Sequence, residues 1–343
     1  MGSYLSRRRL LSGIGSAALA SGFAAASRAA AADDFYQGKT LTVIVGFAPG
    51  GGVDTTTRVV ARHLVRFIPG RPGLIVQNME GAGGLVAANH LERRVAPDGL
   101  TLAVPGRSWF VEGIVKSPGV TFDPTRLAWI GSPGAINSMM YVRASTGIAS
   151  FDALRSSPKT LTFGALGSTT TTAIVPTMLA ATGLPIKVIA GYGSTARVLF
   201  ALEQGEIDGV FTVEDSFARR QDLIANKVVI PILQNKPTLP GLPLVREVLP
   251  KRDEAVLGLV LAQENVGLPL VGPSGLPPER VEVLRNAFMA MCDDADYQAE
   301  ARRVDQPIVA PLSGAQLAAM IAELAVAATP EIVAGYRRLT GPK

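Results

Sequence analysis

The sequence predicts an α/β protein with mainly parallel sheets, and three observations carry that prediction. Short apolar or β-branched runs alternate with helix-length runs through nearly all of the chain after Asp33, which is the rhythm of βα units. Glycine-rich polar turns close several of the strand-like runs. The 343 residues are 48% hydrophobic and 18% charged, which excludes a disordered or acidic-tail chain. That length allows two or three domains at roughly 100–200 residues each.

Thr40–Val45 is a β-branched run that stops at Gly46-Phe47-Ala48-Pro49-Gly50-Gly51-Gly52-Val53-Asp54, and residues 55–67 take helical spacing. Residues 74–78 form a second strand, followed by Gly81-Ala82-Gly83-Gly84 and a helix to about Arg94. Residues 100–104 form a third, leaving through the loop Pro105-Gly106-Arg107-Ser108-Trp109-Phe110. The pattern then repeats. Strand 161–164 runs into a hydroxyl-rich turn, 168–172, and a helix to Ala181. Strand 187–190 runs into Gly191-Tyr192-Gly193-Ser194-Thr195 and a helix to Gln204. Strands 209–213 and 228–233 follow, then a Pro-rich stretch at 237–250, an apolar run at 255–262 and two closing helices, 278–292 and 313–328. Ser313 is a candidate N-cap for the last. No repeat of solenoid length is present.

Residues 1–32 predict an export signal. Adjacent arginines, Arg7 to Arg9, precede an apolar Ala/Gly/Ser-rich stretch and a run of alanines before Asp33, and the arginine pair resembles a twin-arginine signal. With no acid and four arginines, that segment carries +4 of the net +5. The remaining chain is close to neutral, so nothing marks nucleic acid as a partner. No later apolar stretch approaches the ~20 residues of a membrane span. A single cysteine, Cys292, and two histidines, His63 and His90, leave no internal disulfide and no Cys cluster for a metal. Neither a metal nor a cofactor is expected.

In open α/β sheets ligands bind beyond the carboxyl ends of the strands. Three glycines at 50–52 let bare backbone amides approach a ligand, and the helix that follows directs its positive N-terminus to the same place, worth roughly 0.3–2 kcal/mol for an anion. Gly81–Gly84 repeats the device, and Ser168, Thr169 and Thr170 begin a run of hydroxyls at another helix start. The alternative for any one loop is purely structural, with Asp54 or Ser168 as helix caps. Arg107 is the candidate charge partner, with Ser108 beside it and Trp109 and Phe110 covering an apolar ligand body. The alternative is a solvated loop arginine.

Enzyme signatures are sparse. Gly191–Ala196 fits G-x-G-x-x-A between a strand and a helix, with Glu214 and Asp215 about 20 residues on, as in a dinucleotide fingerprint. It lies in mid-chain and lacks an evident acid–base residue. The 46–54 loop lacks the G-K-[ST] ending of a P-loop, and no G-x-S-x-G elbow occurs.

Several pieces, in order, resemble one family. They are F-x-P-G-G-x-x-D at Phe47–Asp54, G-A-G-G at 81–84, A-P-D-G-x-T-L at Ala96–Leu102, G-E-I-D at 205–208 and G-L-P-P-E at 275–279. The chain resembles the substrate-binding proteins of tripartite tricarboxylate transporters, the Bug family. The resemblance implies a type II periplasmic-binding-protein (Venus-flytrap) fold, with two α/β lobes joined by two crossing strands. Lobe 1 would be 33–140 with 255–343, and lobe 2 would be 141–254. It also implies a monomeric periplasmic receptor, not an enzyme, that closes on a small organic carboxylate and passes it to integral membrane subunits.

The expected ligand-binding residues are Phe47, Ala48, Pro49, Gly50, Gly51 and Asp54, with Gly83, faced by Ser168, Thr169, Thr170, Tyr192, Gly193 and Ser194; Arg107 and Ser108 join them from the loop reading above, since Arg107 and Trp109 are not part of the family's common pattern and point to a different or aromatic ligand. Two departures stand out: Gly191-Tyr192-Gly193 replaces the usual Y-K-G, and Thr212 stands where the family often has Asp. Glu214 and Asp215 are candidates to supply the missing charge. The rival readings are an exported nicotinamide-dependent oxidoreductase using 191–196, and a receptor that feeds a sensor kinase.

Overall fold

Strand-forming runs in the first third of the chain become β1 (Thr40–Val45), β2 (Gly73–Asn78) and β3 (Thr101–Val104). They pair in parallel, β1 between the other two, because a helix carries the chain back between each. The computed structural model describes residues 35–304 and 310–340, without the side chains of Asp215, Ala218 and Arg219, so the expected export segment lies outside the described residues. The remaining strands are β4 (Ala128–Ser132), β5 (Ser138–Arg143), β6 (Leu161–Ala165), β7 (Ile186–Ala190), β8 (Gly209–Val213), β9 (Val229–Gln234), β10 (Leu270–Gly272) and β11 (Leu312–Ser313).

They form two sheets, ordered β11-β4-β10-β3-β1-β2 and β7-β6-β8-β5-β9. The second repeats the parallel unit at β7-β6-β8. Antiparallel pairings enter with β4, β10 and β11 in the first sheet and with β5 and β9 in the second. The sheets are therefore mixed. The parallel units are the parts where an intervening helix turns the chain round, whereas β4 passes straight to β5 through residues 133–137. Neither β4 nor β5 stood out in sequence, since both are buried almost throughout and show no alternation.

The helix Gly52–Phe67 packs on β2 and against Pro278–Asp293. Its Val59, Val60 and Leu64 share one core with Leu41, Val43, Leu284 and Phe288. A larger core runs from one sheet to the other, joining Ile44, Trp109 and Trp129 to Met140, Phe163 and Phe211 through Leu257, Leu259 and Val260. The apolar run near 255 is thus a helix, Glu254–Val266, buried against helices from both sides. Among the described residues, four helices follow β10 where two were expected. A break at Asp294 separates Pro278–Asp293 from Ala295–Arg303, whose Tyr297 N–H donates to Asp294 Oδ1 at 2.9 Å. Gly314–Ala327 and Pro330–Thr340 follow, and Ser313 caps the former in a capping box with Gln316. Cys292 is buried, and burial pushes its thiol up to about 12, so it is unreactive. Among the described residues no single helix is long and apolar enough to cross a membrane.

The two crossings between sheets lie side by side. The outward one is the run 133–137; the return is the end of Glu254–Val266 and Gly267, a helix end where a strand was expected. A Cβ on Gly267 would stand 2.0 Å from the Gly134 carbonyl oxygen. Ser132 Oγ accepts the Leu268 N–H at 3.1 Å, and the Glu264 carbonyl accepts the Ile136 N–H at 2.8 Å. The Glu264 side chain is fully buried. Its Oε2 accepts from the Ser138 N–H at 3.2 Å and from Asn235 Nδ2 at 2.6 Å, while Oε1 has no partner. Burial raises its carboxyl above the ordinary glutamate range, against the opposing pull of those hydrogen bonds.

A raised folded-state value means the native protein binds this proton more tightly than the unfolded chain. Stability therefore falls as pH rises from about 4.3, the unperturbed glutamate value, through the raised one. Glu264→Gln is expected to flatten that part of the profile and leave neutral-pH stability equal or higher. Melting temperatures of both proteins across this range test it, and an identical slope in the variant would remove Glu264 as its source.

Candidate functional site

The loops after β1, β2 and β3 interlock where there is no room for side chains. A Cβ on Gly46 would lie 2.2 Å from the Pro105 carbonyl oxygen, and one on Gly84 would lie 1.9 Å from the same atom. Gly84 also has φ of 100°, which other residues rarely adopt. A Cβ on Gly106 would meet Phe47 Cε2 at 2.5 Å. The three strand exits are thereby fixed against one another.

Asp54 shapes the first of these loops from within. Its Oδ2 accepts the Gly50 N–H at 2.9 Å, its two oxygens each accept Arg58 Nε at 3.0 Å, and Asn78 Nδ2 donates to Oδ1 at 2.8 Å. Asn78 also holds the Phe47 carbonyl, again at 2.8 Å. Burial acts to raise the Asp54 carboxyl, but the bonds from Arg58, Gly50 and Asn78 outweigh it and hold the group below the ordinary range. With this carboxylate turned inward, the helix Gly52–Phe67 starts at Gly51 with no capping side chain. The amides of its first turn have no intrahelical acceptor.

The opposite wall is built alike. Thr170 precedes Thr171–Ala181 without capping it. The Thr170 hydroxyl donates to the Gly167 carbonyl at 2.7 Å, so Thr172 donates to Thr170 at 2.6 Å while accepting the Leu166 N–H at 3.1 Å. That chain fixes the loop and leaves the Thr171 end of the helix toward the cleft.

Between these walls lies a narrow cleft lined by both sheets' loops. Among the described residues, Arg107 is the one charged side chain that lines it, and no carboxylate does. Eight hydroxyl side chains do, namely Ser108, Ser138, Thr170, Thr171, Thr172, Ser194, Thr195 and Thr212, together with Phe47, Gly51, Gly52, Val53, Leu166, Val213 and Gln263. One cation, two uncapped helix N-termini and many donors make a place for an anion.

Of the residues singled out in sequence, Phe47, Gly51, Arg107, Ser108, Thr170 and Ser194 line this cleft. Gly50 lines an adjoining cavity, together with Arg107. Gly83, Ser168, Thr169, Tyr192 and Gly193 line, with Phe47, a third groove. There the two sides meet, since a Cβ on Gly83 would stand 3.2 Å from Thr169 Oγ1. Ala48, Pro49 and Asp54 line none of the three. Glu214 lines none of them either, because its Oε1 accepts from Asn137 Nδ2 at 3.0 Å and from the Thr238 hydroxyl at 2.6 Å. The Asp215 side chain is outside the described residues.

Gly52, Thr171 and Thr172, placed in sequence on the glycine and hydroxyl turns, line the cleft as well, whereas Val53 and Thr195, in the first turns of the helices that follow, were not named as ligand residues. The sequence reading also missed Ser138 and Gln263, which come from the crossings and belong to no local motif. Trp109 and Phe110 do not cover a ligand. Both are buried in the core, Trp109 stacked on Trp129 at 5.6 Å. The helix Trp109–Ile114, expected as loop, turns them inward.

The dinucleotide reading is not supported. The Gly191 and Tyr192 amides donate to the Ala165 carbonyl at 3.1 and 3.2 Å and so are closed to a pyrophosphate, and Glu214 is engaged elsewhere. Residues 57–333 match the profile of a family described as the tripartite tricarboxylate transporter family receptor. The chain belongs to this receptor family. A curated relative, the UPF0065 protein in the gbd 5′ region of Cupriavidus necator, is 28% identical over 302 residues, 85% of this chain and 86% of its own. MatC from Rhodopseudomonas palustris, solved with bound malate, superposes with a TM-score of 0.67 at 19% identity, over 88% of this receptor and 99% of its own chain. Another R. palustris protein, solved with adipate, gives 0.63 at 19% identity, over 87% and 98%. These likenesses carry the two-lobed periplasmic-binding-protein fold.

Two outcomes are expected of this receptor's loops. Asp54→Asn should lower stability at neutral pH by about 1–3 kcal/mol, because Arg58, Gly50 N–H and Asn78 lose a charged acceptor. Since the folded-state value is depressed, the contribution is complete above about 3.9 and lost as pH falls through the lower folded value. Denaturant unfolding of both proteins should show the gap closing in acid, and a gap independent of pH would count against the brace. Gly84→Ala should destabilise by more than about 2 kcal/mol, read as a fall in denaturation midpoint; a neutral substitution would refute the close approach to Pro105.

Proposed function

We propose that this receptor captures a small organic carboxylate between its lobes in the periplasm and delivers it to the integral membrane subunits of a tripartite transporter, acting as a monomer without catalysis or cofactor. The observation that carries the reading is the cleft in which Arg107 is the one charged side chain among the described residues and two uncapped helix N-termini face each other. The neighbours solved with malate and adipate support it. The proposal takes lobe 1 as 33–140 with 255–343 and lobe 2 as 141–254. These limits fall within β5 and at the start of Glu254–Val266.

In this reading the ligand's carboxylate accepts hydrogen bonds from the Gly52 and Val53 amides and the Thr171 end of the facing helix, and pairs with the Arg107 guanidinium. Ser108 and Ser138 complete its shell. Asp54, and Ala48 and Pro49 with it, position the loop without touching ligand. Gly83, Ser168, Thr169, Tyr192 and Gly193 act at the rim, where contact between the lobes accompanies closure. A ligand that touches both lobes binds the closed form better and shifts the population toward it. The segment 1–32 is the export signal that takes the protein there.

A thermal-shift screen against mono-, di- and tricarboxylates, aromatic acids, amino acids and nicotinamide dinucleotides tests the reading, because a ligand of the native state raises the melting temperature. Stabilisation by a carboxylate class is expected, and a shift with nicotinamide alone would overturn it. Arg107→Ala should weaken the acid by about tenfold or more while sparing its neutral amide. Equal loss for both would reject Arg107 as the charge partner.

A further inference from the structure

Several hydroxyls of the cleft are already engaged by the protein. Those of Thr170 and Thr172 bond one another, that of Thr212 lies 2.8 Å from Ser216 Oγ, and that of Ser194 accepts the Arg197 N–H at 3.3 Å. Ser108 and Thr171 differ. They are 4% and 8% exposed and both line the cleft. Among the described residues, neither hydroxyl has a hydrogen-bond partner, although each sits at the start of a helix it could have capped.

Gln263 is the third such group. It lines the same cleft and is 3% exposed. Its Nε2 donates to the Val260 carbonyl at 2.7 Å. A carbonyl only accepts, so that bond fixes which end of the amide is nitrogen. The nitrogen is turned back along its own helix, and what the side chain offers the cleft is Oε1, which has no partner among the described residues.

Oε1 accepts and never donates. A carboxylate oxygen also only accepts, so a plain acid set against Gln263 leaves a buried acceptor facing another acceptor, and that mismatch costs affinity. A ligand hydroxyl removes it. The hydroxyl proton goes to Oε1, and its oxygen is open to the donors around it, the Ser108 and Thr171 hydroxyls and the amides of the two helix starts. An ammonium, the other common donor, has no lone pair with which to accept from those groups, and it would meet the positive ends of two helices.

Resting on the receptor reading above, we propose that Gln263 is a specificity-determining residue, and that the ligand is a hydroxy acid whose hydroxyl donates to Gln263 Oε1 while its carboxylate takes the helix amides. Ser108 and Thr171 serve the same hydroxyl and carboxylate as donors.

Calorimetric titration of the purified protein with acids that differ by one hydroxyl tests this: lactate against propanoate, malate against succinate, citrate against tricarballylate, and mandelate against phenylacetate. In each pair that binds, the hydroxy acid should be tighter by at least about tenfold, the effect of one buried hydrogen bond. Gln263→Met keeps the length and apolar stem without the amide acceptor. It should cut that ratio by about tenfold and leave the affinity of the hydroxyl-free acid unchanged or higher. A loss of packing alone would weaken both members of a pair and leave their ratio in place. Equal affinities within the pairs, a ratio untouched by Gln263→Met, or aspartate binding more tightly than malate overturns the assignment while leaving the receptor reading in place. If no acid of any class binds, the receptor reading falls and the assignment with it.

Discussion

Everything at the ligand end of this molecule depends on the absence of two methyl groups. Gly46 and Gly84 both close on the carbonyl of Pro105, at distances where no Cβ fits, and this contact locks three parallel strands' exits into one surface. Bare backbone at that point brings the Gly50–Val53 turn close to its neighbours, and the turn-shaping work falls to Asp54, which binds backbone and side chains of its own lobe. A carboxylate inside the loop leaves the amides of the next helix turn without a cap. The proposed anion site follows from where a buried anion is already held.

The parallel half of each sheet was legible because it is periodic. Strand, glycine turn and helix recur with clear boundaries at 40–67 and 161–181, and the β-branched runs mark themselves. The strands β4 and β5 were not legible, since buried strands lack alternation and their partners are distant in sequence. The same division runs through the site. Residues on glycine turns, such as Gly51 and Thr170, could be named from their position at a helix start. Ser138 and Gln263 reach the cleft only because two crossings lie side by side, which no local pattern encodes. Asp54 and Glu214 look like ligand groups in sequence because a carboxylate beside a loop reads the same whether it faces ligand or backbone; only their partners separate the two.

Arg107 joins these levels. It leaves β3 through the turn that Gly46 and Gly84 clamp, and it is anchored by the burial of its neighbours Trp109 and Phe110 rather than by contacts of the ligand. The aromatic pair is thus a foundation for the guanidinium, set in the core that spans both sheets. In the proposed reading, moving the cation by loosening those rings would alter recognition without changing any residue that lines the cleft.

The close approach of Gly267 to the Gly134 carbonyl also has a mechanical meaning. The two crossings pack closely enough that no side chain fits between them at Gly267, so a hinge at this pair is narrow and favours rotation of the lobes about it. The pair then works as a single axle, and travel at the mouth grows with distance from it. Gln263, in the cleft, and Glu264, at the axle, are consecutive residues of one helix turn. At the rim, Gly83 approaches Thr169 across the loops of the two sheets, so a change in the angle between the lobes alters that contact directly.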